Sequence, residues 1–145
     1  MGMAGGQGID LASVGRPLDQ PALEHMHALK TGALLRAAVS MGGLCGPIDA
    51  EVARALTTYG QRVGLAFQVV DDVLDVLSDT ATLGKTAGKD AAANKPTFVS
   101  LLGLDPAKRY ADRLIAEALG ALDAAGLAEA HALRALAMHV VARTH

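Results

Sequence analysis

The stretch that decides the fold runs from Val63 to Leu77 and reads VGLAFQVVDDVLDVL. It is apolar all round except at four positions. These are Gln68, Asp71, Asp72 and Asp75. A helix without a continuous polar face belongs in the middle of a bundle, where neighbouring helices cover all of its sides. The sequence therefore predicts a buried central helix that carries a cluster of acids near its end.

The three aspartates are the most informative residues of the chain. Spacings of three and four residues place Asp71, Asp72 and Asp75 on one helix face, where like charges repel by ~0.2–0.5 kcal/mol per pair. They also lie toward the negative end of the helix dipole, and no Lys or Arg occurs between Val63 and Asp79. One interpretation is a solvated acidic face. The favoured one is a cation site: a few carboxylates without a full cage suit Mg²⁺, which takes its other ligands from water and substrate phosphates.

Lysines supply the complementary charge. Three of them follow the acids in a stretch predicted to be irregular, Ser78–Pro96: Lys85, Lys89 and Lys95. Lys30 lies within an earlier predicted helix. A magnesium diphosphate needs both charges, because carboxylates hold the metal while lysines neutralise the outer phosphate oxygens. Each lysine taken singly is typical of a surface charge, whereas acids and lysines together predict a diphosphate site.

The rest of the chain reads as helical, because helix formers dominate and no segment alternates apolar and polar residues as strands do. About five helices and one short one are predicted: Met3–Val14, Asp19 to the break at Gly42-Gly43, Ala50–Leu77, Thr97–Leu102, Asp105 to Gly126, and Leu127–Arg143. Asp19 and Asp49 are expected N-caps. Glycines within a helix lower its stability, so Gly5, Gly6 and Gly8 indicate that another helix or a ligand approaches the first helix closely.

One pair of residues, a glutamate and a histidine, has the spacing of metal ligands on a helix. Glu24 and His27 form a Glu-x-x-His pair of the kind found in di-iron bundles. Such bundles need two of these pairs and further glutamates, which this sequence does not place nearby. An ordinary exposed helix surface is therefore predicted for Glu24 to His27.

Length and charge exclude several classes of protein. The 145 residues set a prior of one domain, and a net charge of −2 gives no general reason to bind nucleic acid or an anionic membrane. The single cysteine, Cys45, cannot form an internal disulfide, which favours a reducing cytoplasm. The sequence contains no run of about 18 apolar residues, so no membrane span is predicted. Met1–Asp10 lacks the pattern of a signal peptide.

The apolar content is unusually high. Hydrophobic residues make up 51% of the chain, and the chain also has 16 glycines. Hydrophobic residues and glycines together therefore exceed the usual apolar share of ~45–50%. A chain of this size exposes much of its surface and has little room to bury such a surplus. We therefore expect either strong association or the absence of some of the partners of this core.

Four motifs, in order along the chain, resemble a known family. They are Gly5-Gly6-Gln7 with Asp10, Lys30-Thr31-Gly32, Gly64 to Asp75 with its Phe-Gln and Asp-Asp pairs, and Asp79 to Lys95 with its lysines. Together they are similar to the C-terminal half of trans-prenyl diphosphate synthases, above all the bacterial farnesyl diphosphate synthases (geranyltranstransferases). Because the match runs nearly end to end, the resemblance is specific.

The resemblance implies a fold, a reaction and roles for particular residues. The fold is an all-α bundle around a deep cavity, usually in a homodimer, with residues 1–145 as a partial, C-terminal domain. The implied roles are Mg²⁺ binding by Asp71, Asp72 and Asp75, allylic diphosphate binding by Lys30, Lys85 and Lys95, and a place near the allylic carbon for Thr31 and Gln68. The implied reaction is metal-assisted loss of diphosphate, attack on the allylic cation by isopentenyl diphosphate, and loss of a proton. Its product would be of the farnesyl diphosphate type.

One departure from the family qualifies that reading. The family carries two aspartate-rich motifs on facing helices, whereas Asp71-Asp72 is the only Asp-Asp pair here. We therefore expect that this chain alone is inactive, and that it pairs as a homodimer or with a missing N-terminal half. Two alternatives stay open: a non-catalytic helical partner of a full-length synthase, and a metal-carboxylate bundle unrelated to isoprenoids.

Overall fold

The computed structural model describes residues 2–82, 96–127 and 129–143. These residues form helices and contain no strand, so the all-α prediction is confirmed. The helices are α1 (Met3–Ala12), α2 (Gln20–His27), α3 (Ala33–Gly43), α4 (Ala50–Thr82), α5 (Phe98–Leu102), α6 (Leu104–Ala124) and α7 (His131–Ala142), with a π-helical segment (Ala28–Gly32) between α2 and α3. None of these helices is both long enough and apolar enough to cross a membrane.

The central helix is α4, as predicted. Its residues Val69, Val70 and Val73 are fully buried, and it packs against α2, α3, α5, α6, α7 and the π-helical segment. Asp49 caps its start, because its Oδ1 accepts the backbone N–H groups of Glu51 and Val52 at 2.8 Å each. The helix therefore brings its acidic end against several neighbouring elements.

The predicted end of this helix at Leu77 is wrong. The helix continues to Thr82, so the first five residues of the stretch predicted to be irregular are helical. Neither glycine nor proline occurs between Ser78 and Thr82, and the backbone thus meets no residue that would stop it. The acidic residues consequently lie within the helix rather than at its last turn.

The helix predicted from Asp19 to the Gly42-Gly43 break is one helical run, but it is not uniformly α-helical. Its start is as predicted, because Asp19 Oδ1 accepts the N–H of Ala22 at 2.9 Å. The π-helical segment lies in the middle of the run and ends at Gly32, the predicted interruption. A Cβ atom added to Gly64 of α4 would lie 2.9 Å from the Gly32 Cα, so these two glycines allow close packing of the two backbones.

Helix α1 packs closely on the π-helical segment. Gly6 is buried, and a Cβ atom added to it would lie 2.6 Å from the Lys30 Cα, closer than real Cβ contacts allow. The predicted close approach is thus confirmed at Gly6, whereas a Cβ atom on Gly8 would meet open space. The helix ends at Ala12 rather than at Val14.

The last helix begins later than predicted. It starts at His131 rather than Leu127, because Leu127 belongs to the turn that closes α6. In that turn Gly126 has a φ of +67°, and the Leu127 N–H donates to the Leu122 carbonyl at 3.0 Å. Helices commonly end in this way, with a glycine of positive φ and a following N–H that donates back to a carbonyl of the last turn.

Many large apolar side chains stay exposed although the core is well filled. Tyr59, Phe98 and Leu23 are fully buried. Conspicuously exposed side chains include Leu11, Leu34, Met41, Leu44 (73% exposed) and Met138. Three of these lie on or just after α3. The apolar surplus of the sequence is therefore partly on the surface, as expected either of a chain that associates strongly or of one that lacks some of its core partners.

Candidate functional site

The acidic end of α4 carries a partly buried carboxylate, Asp72. Its Oδ2 accepts the backbone N–H of Phe98, the first residue of α5, at 2.7 Å. Burial raises the pKa of Asp72 to about 6; the Phe98 hydrogen bond opposes this rise, and the charges of Asp75 and Asp71 add to it. A carboxylate with such a pKa lacks enough positive charge around it, which is the condition that a bound cation would relieve.

Asp71 lies beside the C-terminal end of the described chain. Its Oδ1 is 3.4 Å from Nη1 of Arg143, and the Arg143 guanidinium also lies over the Phe67 ring, 5.5 Å from its centroid. Burial raises the pKa of Asp71, while Arg143 lowers it and Asp75 raises it. Asp71 thus remains short of positive charge even with an arginine nearby.

The aspartates do not form a closed metal cage. In the described parts of the chain, no three His, Cys, Asp or Glu side chains are gathered so that they could enclose an ion. Asp75 is exposed on the same helix as Asp71 and Asp72. Because Mg²⁺ keeps several waters and binds substrate phosphates, an open group of carboxylates in which Asp71 and Asp72 have raised pKa values fits this ion in its donor chemistry.

Lys30 lies in the π-helical segment and is paired with a buried acid. Its Nζ is 2.7 Å from Oδ2 of Asp10 on α1, and the side chains are 30% and 7% exposed. The same ammonium group acts electrostatically on Asp72 and lowers its pKa slightly. Lys30 and Asp72 therefore belong to one electrostatic site, although 42 residues separate them along the chain.

Gln68 is held by His27, for which the sequence predicted an ordinary helix surface. The two residues are joined by a hydrogen bond of 2.9 Å between His27 Nδ1 and Gln68 Oε1, and both side chains are buried. The prediction of an exposed helix surface is wrong at His27, because α2 turns this residue toward α4. Burial lowers the pKa of His27, the hydrogen bond to Gln68 raises it, and the nearby Lys30 lowers it.

Phe98 connects this pair to the acids. Its ring stacks on the His27 ring with centroids 5.5 Å apart and planes at 28°, and its backbone N–H holds Asp72. Thr97 and Ser100 fix the start of α5 through a reciprocal capping box, so the N–H of Phe98 points outward from the helix end. The short predicted helix at Thr97–Leu102 thus has a role at the site that its sequence did not indicate.

The structure brings together most of the predicted residues that it describes. Gln68 and Asp72 are linked through His27 and Phe98, and the charge of Lys30 acts on both Asp72 and His27. Thr31 lies next to Lys30 in the π-helical segment, a type of distortion that is frequent at functional sites. The predicted diphosphate ligands Lys85 and Lys95, and Lys89 between them, lie outside the described residues.

Comparison with known proteins agrees with the motifs. A family model for polyprenyl synthetases matches residues 1–135. The chain belongs to the polyprenyl synthetase family.

Its relatives and structural neighbours are prenyl diphosphate synthases. It is 45% identical to the farnesyl diphosphate synthase of Escherichia coli (strain K12), over 98% of this chain and 48% of that protein. It matches the structure of an FPP/GFPP synthase from Zymomonas mobilis with a TM-score of 0.77 and 35% identity, over 96% of this chain and 45% of that one. A Helicobacter pylori geranyltransferase complexed with magnesium and isoprenyl diphosphate gives a TM-score of 0.73 and 38% identity, over 99% and 46% of the two chains. The chain thus shares the all-helical fold of these synthases and spans about half of their length.

Proposed function

We propose that this chain supplies one half of the active site of a Mg²⁺-dependent prenyltransferase, which condenses an allylic diphosphate with isopentenyl diphosphate to a farnesyl-type product. The observation that carries the proposal is the acidic end of α4, where the under-compensated Asp72 is linked to Gln68 through Phe98 and His27 and feels the charge of Lys30. Family membership supports the same reaction. Residues 1–145 act in it as a partial domain.

Each group at the site has a task in this reaction. When bound, Mg²⁺ would neutralise charge on the leaving diphosphate, and Asp71, Asp72 and Asp75 are the residues that would hold it. Lys30 binds the outer diphosphate oxygens, together with Lys85 and Lys95. Such fixed charges lower the barrier because they face the charge that develops in the transition state.

The surroundings of the cation matter as much as the leaving group. Thr31 and Gln68 are proposed to lie near the allylic carbon. The cation also needs apolar surroundings that keep water away, because water would otherwise attack it. This requirement explains why an all-helical apolar bundle suits a reaction between charged diphosphates.

We further propose that the 145-residue chain does not complete the condensation alone. Its sequence holds one Asp-Asp pair, whereas the proposed reaction uses two aspartate-rich motifs. Association as a homodimer, or with the missing half of the fold, would cover the exposed Leu34, Met41 and Leu44. The same exposed side chains support the second candidate function, a non-catalytic helical partner of a full-length synthase.

The test is ligand-dependent stabilisation of the purified chain. We expect Mg²⁺ with geranyl diphosphate to raise the melting temperature, since a ligand at 100 times its Kd stabilises by about 2.7 kcal/mol. Asp72→Asn should abolish this rise, while the exposed acid Glu129, as Glu129→Gln, should leave it unchanged. A wild-type chain without any response would contradict diphosphate binding at this site and favour the partner function.

A second measurement tests the incompleteness of the chain. The wild-type chain is incubated with geranyl diphosphate, isopentenyl diphosphate and Mg²⁺, and the products are analysed. We expect no farnesyl diphosphate. Its formation would show that a single aspartate-rich motif is enough.

A further inference from the structure

A buried histidine lies at the centre of the proposed site without a task in the reaction described above. His27 is 6% exposed and precedes Lys30 by three residues. Its Nδ1 is hydrogen-bonded to Gln68 Oε1 at 2.9 Å. Its Nε2 is fully buried and has no hydrogen-bond partner among the described residues.

The bond to Gln68 determines where the imidazole proton lies. A carboxamide oxygen can only accept, so Nδ1 must carry the hydrogen and donate it to Oε1. In the neutral ring Nε2 is then unprotonated. Burial favours this neutral form over the imidazolium, because a charged ring would lose its hydration.

The same bond fixes the two ends of the Gln68 amide. Its oxygen faces the imidazole, and its NH₂ group is the end that the histidine leaves unengaged. A rotation of the amide by 180° would place NH₂ against the Nδ1–H group, two donors face to face. The tautomer of His27 and the orientation of Gln68 therefore determine each other.

We propose that His27 is a positioning residue that holds the Gln68 oxygen and thereby presents the Gln68 NH₂ group as a donor to a diphosphate oxygen. Its position is itself fixed, because its ring stacks on Phe98 at 5.5 Å, and the N–H of Phe98 holds Asp72. The contacts of His27 and Phe98 thus link Gln68 to Asp72. The part that concerns diphosphate rests on the proposed function.

The orientation is tested first in the ligand-free chain. The ring nitrogens of ¹⁵N-labelled protein are observed by long-range ¹H–¹⁵N NMR, and the His27 signals are assigned by their loss in His27→Asn. We expect a neutral ring with the proton on Nδ1. A ring with the proton on Nε2 would mean that Gln68 has the opposite orientation, and it would overturn the proposal.

The consequence for binding is tested with matched variants. Calorimetry with geranyl diphosphate and Mg²⁺ compares wild type, His27→Phe, His27→Asn and the exposed control His139→Asn. His27→Phe keeps an aromatic ring against Phe98 but removes the donor, and we expect about tenfold weaker binding, the equivalent of one hydrogen bond. Asn can place an N–H near the position of Nδ1, so His27→Asn should recover most of the affinity. Equal affinity of His27→Phe and wild type would overturn the proposal.

Failure of the proposed function gives a different result. If the wild-type chain does not bind the diphosphate at all, the proposed function and the diphosphate part of this inference fall together. The NMR measurement needs no ligand and still decides how Gln68 is held. Circular dichroism of each variant shows whether it is folded. If His27→Phe does not fold, the binding of His27→Asn is compared with that of Gln68→Glu instead. Gln68→Glu should weaken diphosphate binding, because a carboxylate offers no NH₂ donor; unchanged binding would overturn the proposal.

Discussion

The backbone N–H of Phe98 donates to Oδ2 of Asp72 across 2.7 Å and joins the start of α5 to the acidic end of α4. This bond lets a carboxylate stay in a largely apolar region, yet the pKa of Asp72 still rises to about 6. The site thus combines an acid with little compensation, a lysine within electrostatic reach and a glutamine in a fixed orientation. Each of these features has consequences that can be measured.

Stability should fall as the pH rises from about 4 to about 6. The pKa of Asp72 is raised from 3.8 to about 6, so in this window the folded chain binds more protons than the unfolded one. The free energy of unfolding therefore decreases with increasing pH, by about 1–2 kcal/mol for a partly exposed group. Urea titrations at several pH values check this.

Asp72→Asn provides the control for that experiment. The amide keeps an oxygen for the Phe98 N–H but does not ionise. We expect its stability curve to be flatter between pH 4 and 6 and to exceed that of wild type at pH 7. A variant with the same pH slope as wild type would show that other carboxylates, such as Asp71, determine the slope.

Gly6→Ala should destabilise the chain, while Gly8→Ala should not. The new methyl group on residue 6 would lie 2.6 Å from the Lys30 Cα, so α1 would have to move away from the π-helical segment. Such overpacking costs typically about 1–3 kcal/mol. At Gly8 there is open space, and alanine in a helix should add roughly 0.5–1 kcal/mol. Two variants that behave alike in thermal unfolding would contradict the close packing.

Asp10→Asn should cost more than the loss of an exposed ion pair. Asp10 is 7% exposed and its Oδ2 lies 2.7 Å from Lys30 Nζ, so the variant leaves a partly buried ammonium without its carboxylate. We expect a loss of about 1–3 kcal/mol. The comparison is Asp123→Asn, which breaks the more exposed pair with Arg134 and should cost less than about 1 kcal/mol. Denaturant midpoints of the two variants measure these losses. Equal losses would contradict a larger contribution of the buried Asp10.

Tyr59→Phe tests the attachment of the last helix to the central one. The hydroxyl of Tyr59 on α4 donates to the carbonyl of Leu133 on α7 at 2.7 Å, and Tyr59 is fully buried. Removal of the hydroxyl leaves a carbonyl without this donor, for which we expect a loss of about 1–2 kcal/mol. Relative to wild type, the variant should show amide hydrogen exchange that is accelerated more in α7 than in α2.

The parts of the fold that could be predicted from sequence are those set by local chemistry. Asp19 and Asp49 cap helices because their side chains reach nearby N–H groups, and the apolar run around Val69 had to be buried. The burial of His27 could not be predicted in this way, since it depends on which side of α2 meets α4. The signal available was its spacing of three residues before Lys30, a residue already assigned to the site. The role of Phe98 depends on a contact between residues 26 positions apart, which no local pattern contains.

The π-helical segment Ala28–Gly32 has a geometric consequence for the residues around it. A π turn holds one residue more than an α turn, so it acts like a single residue inserted into a regular helix. Each α-helical residue accounts for about 100° of rotation, and a helical wheel drawn continuously from Gln20 to Gly43 therefore misplaces one half of the run by about that angle. Shortening the segment by one residue would change the direction of Lys30 and Thr31 and also the backbone that packs against Gly6 and Gly64. The surplus residue thus lies in the segment that carries two of the side chains that the proposed reaction uses, Lys30 and Thr31.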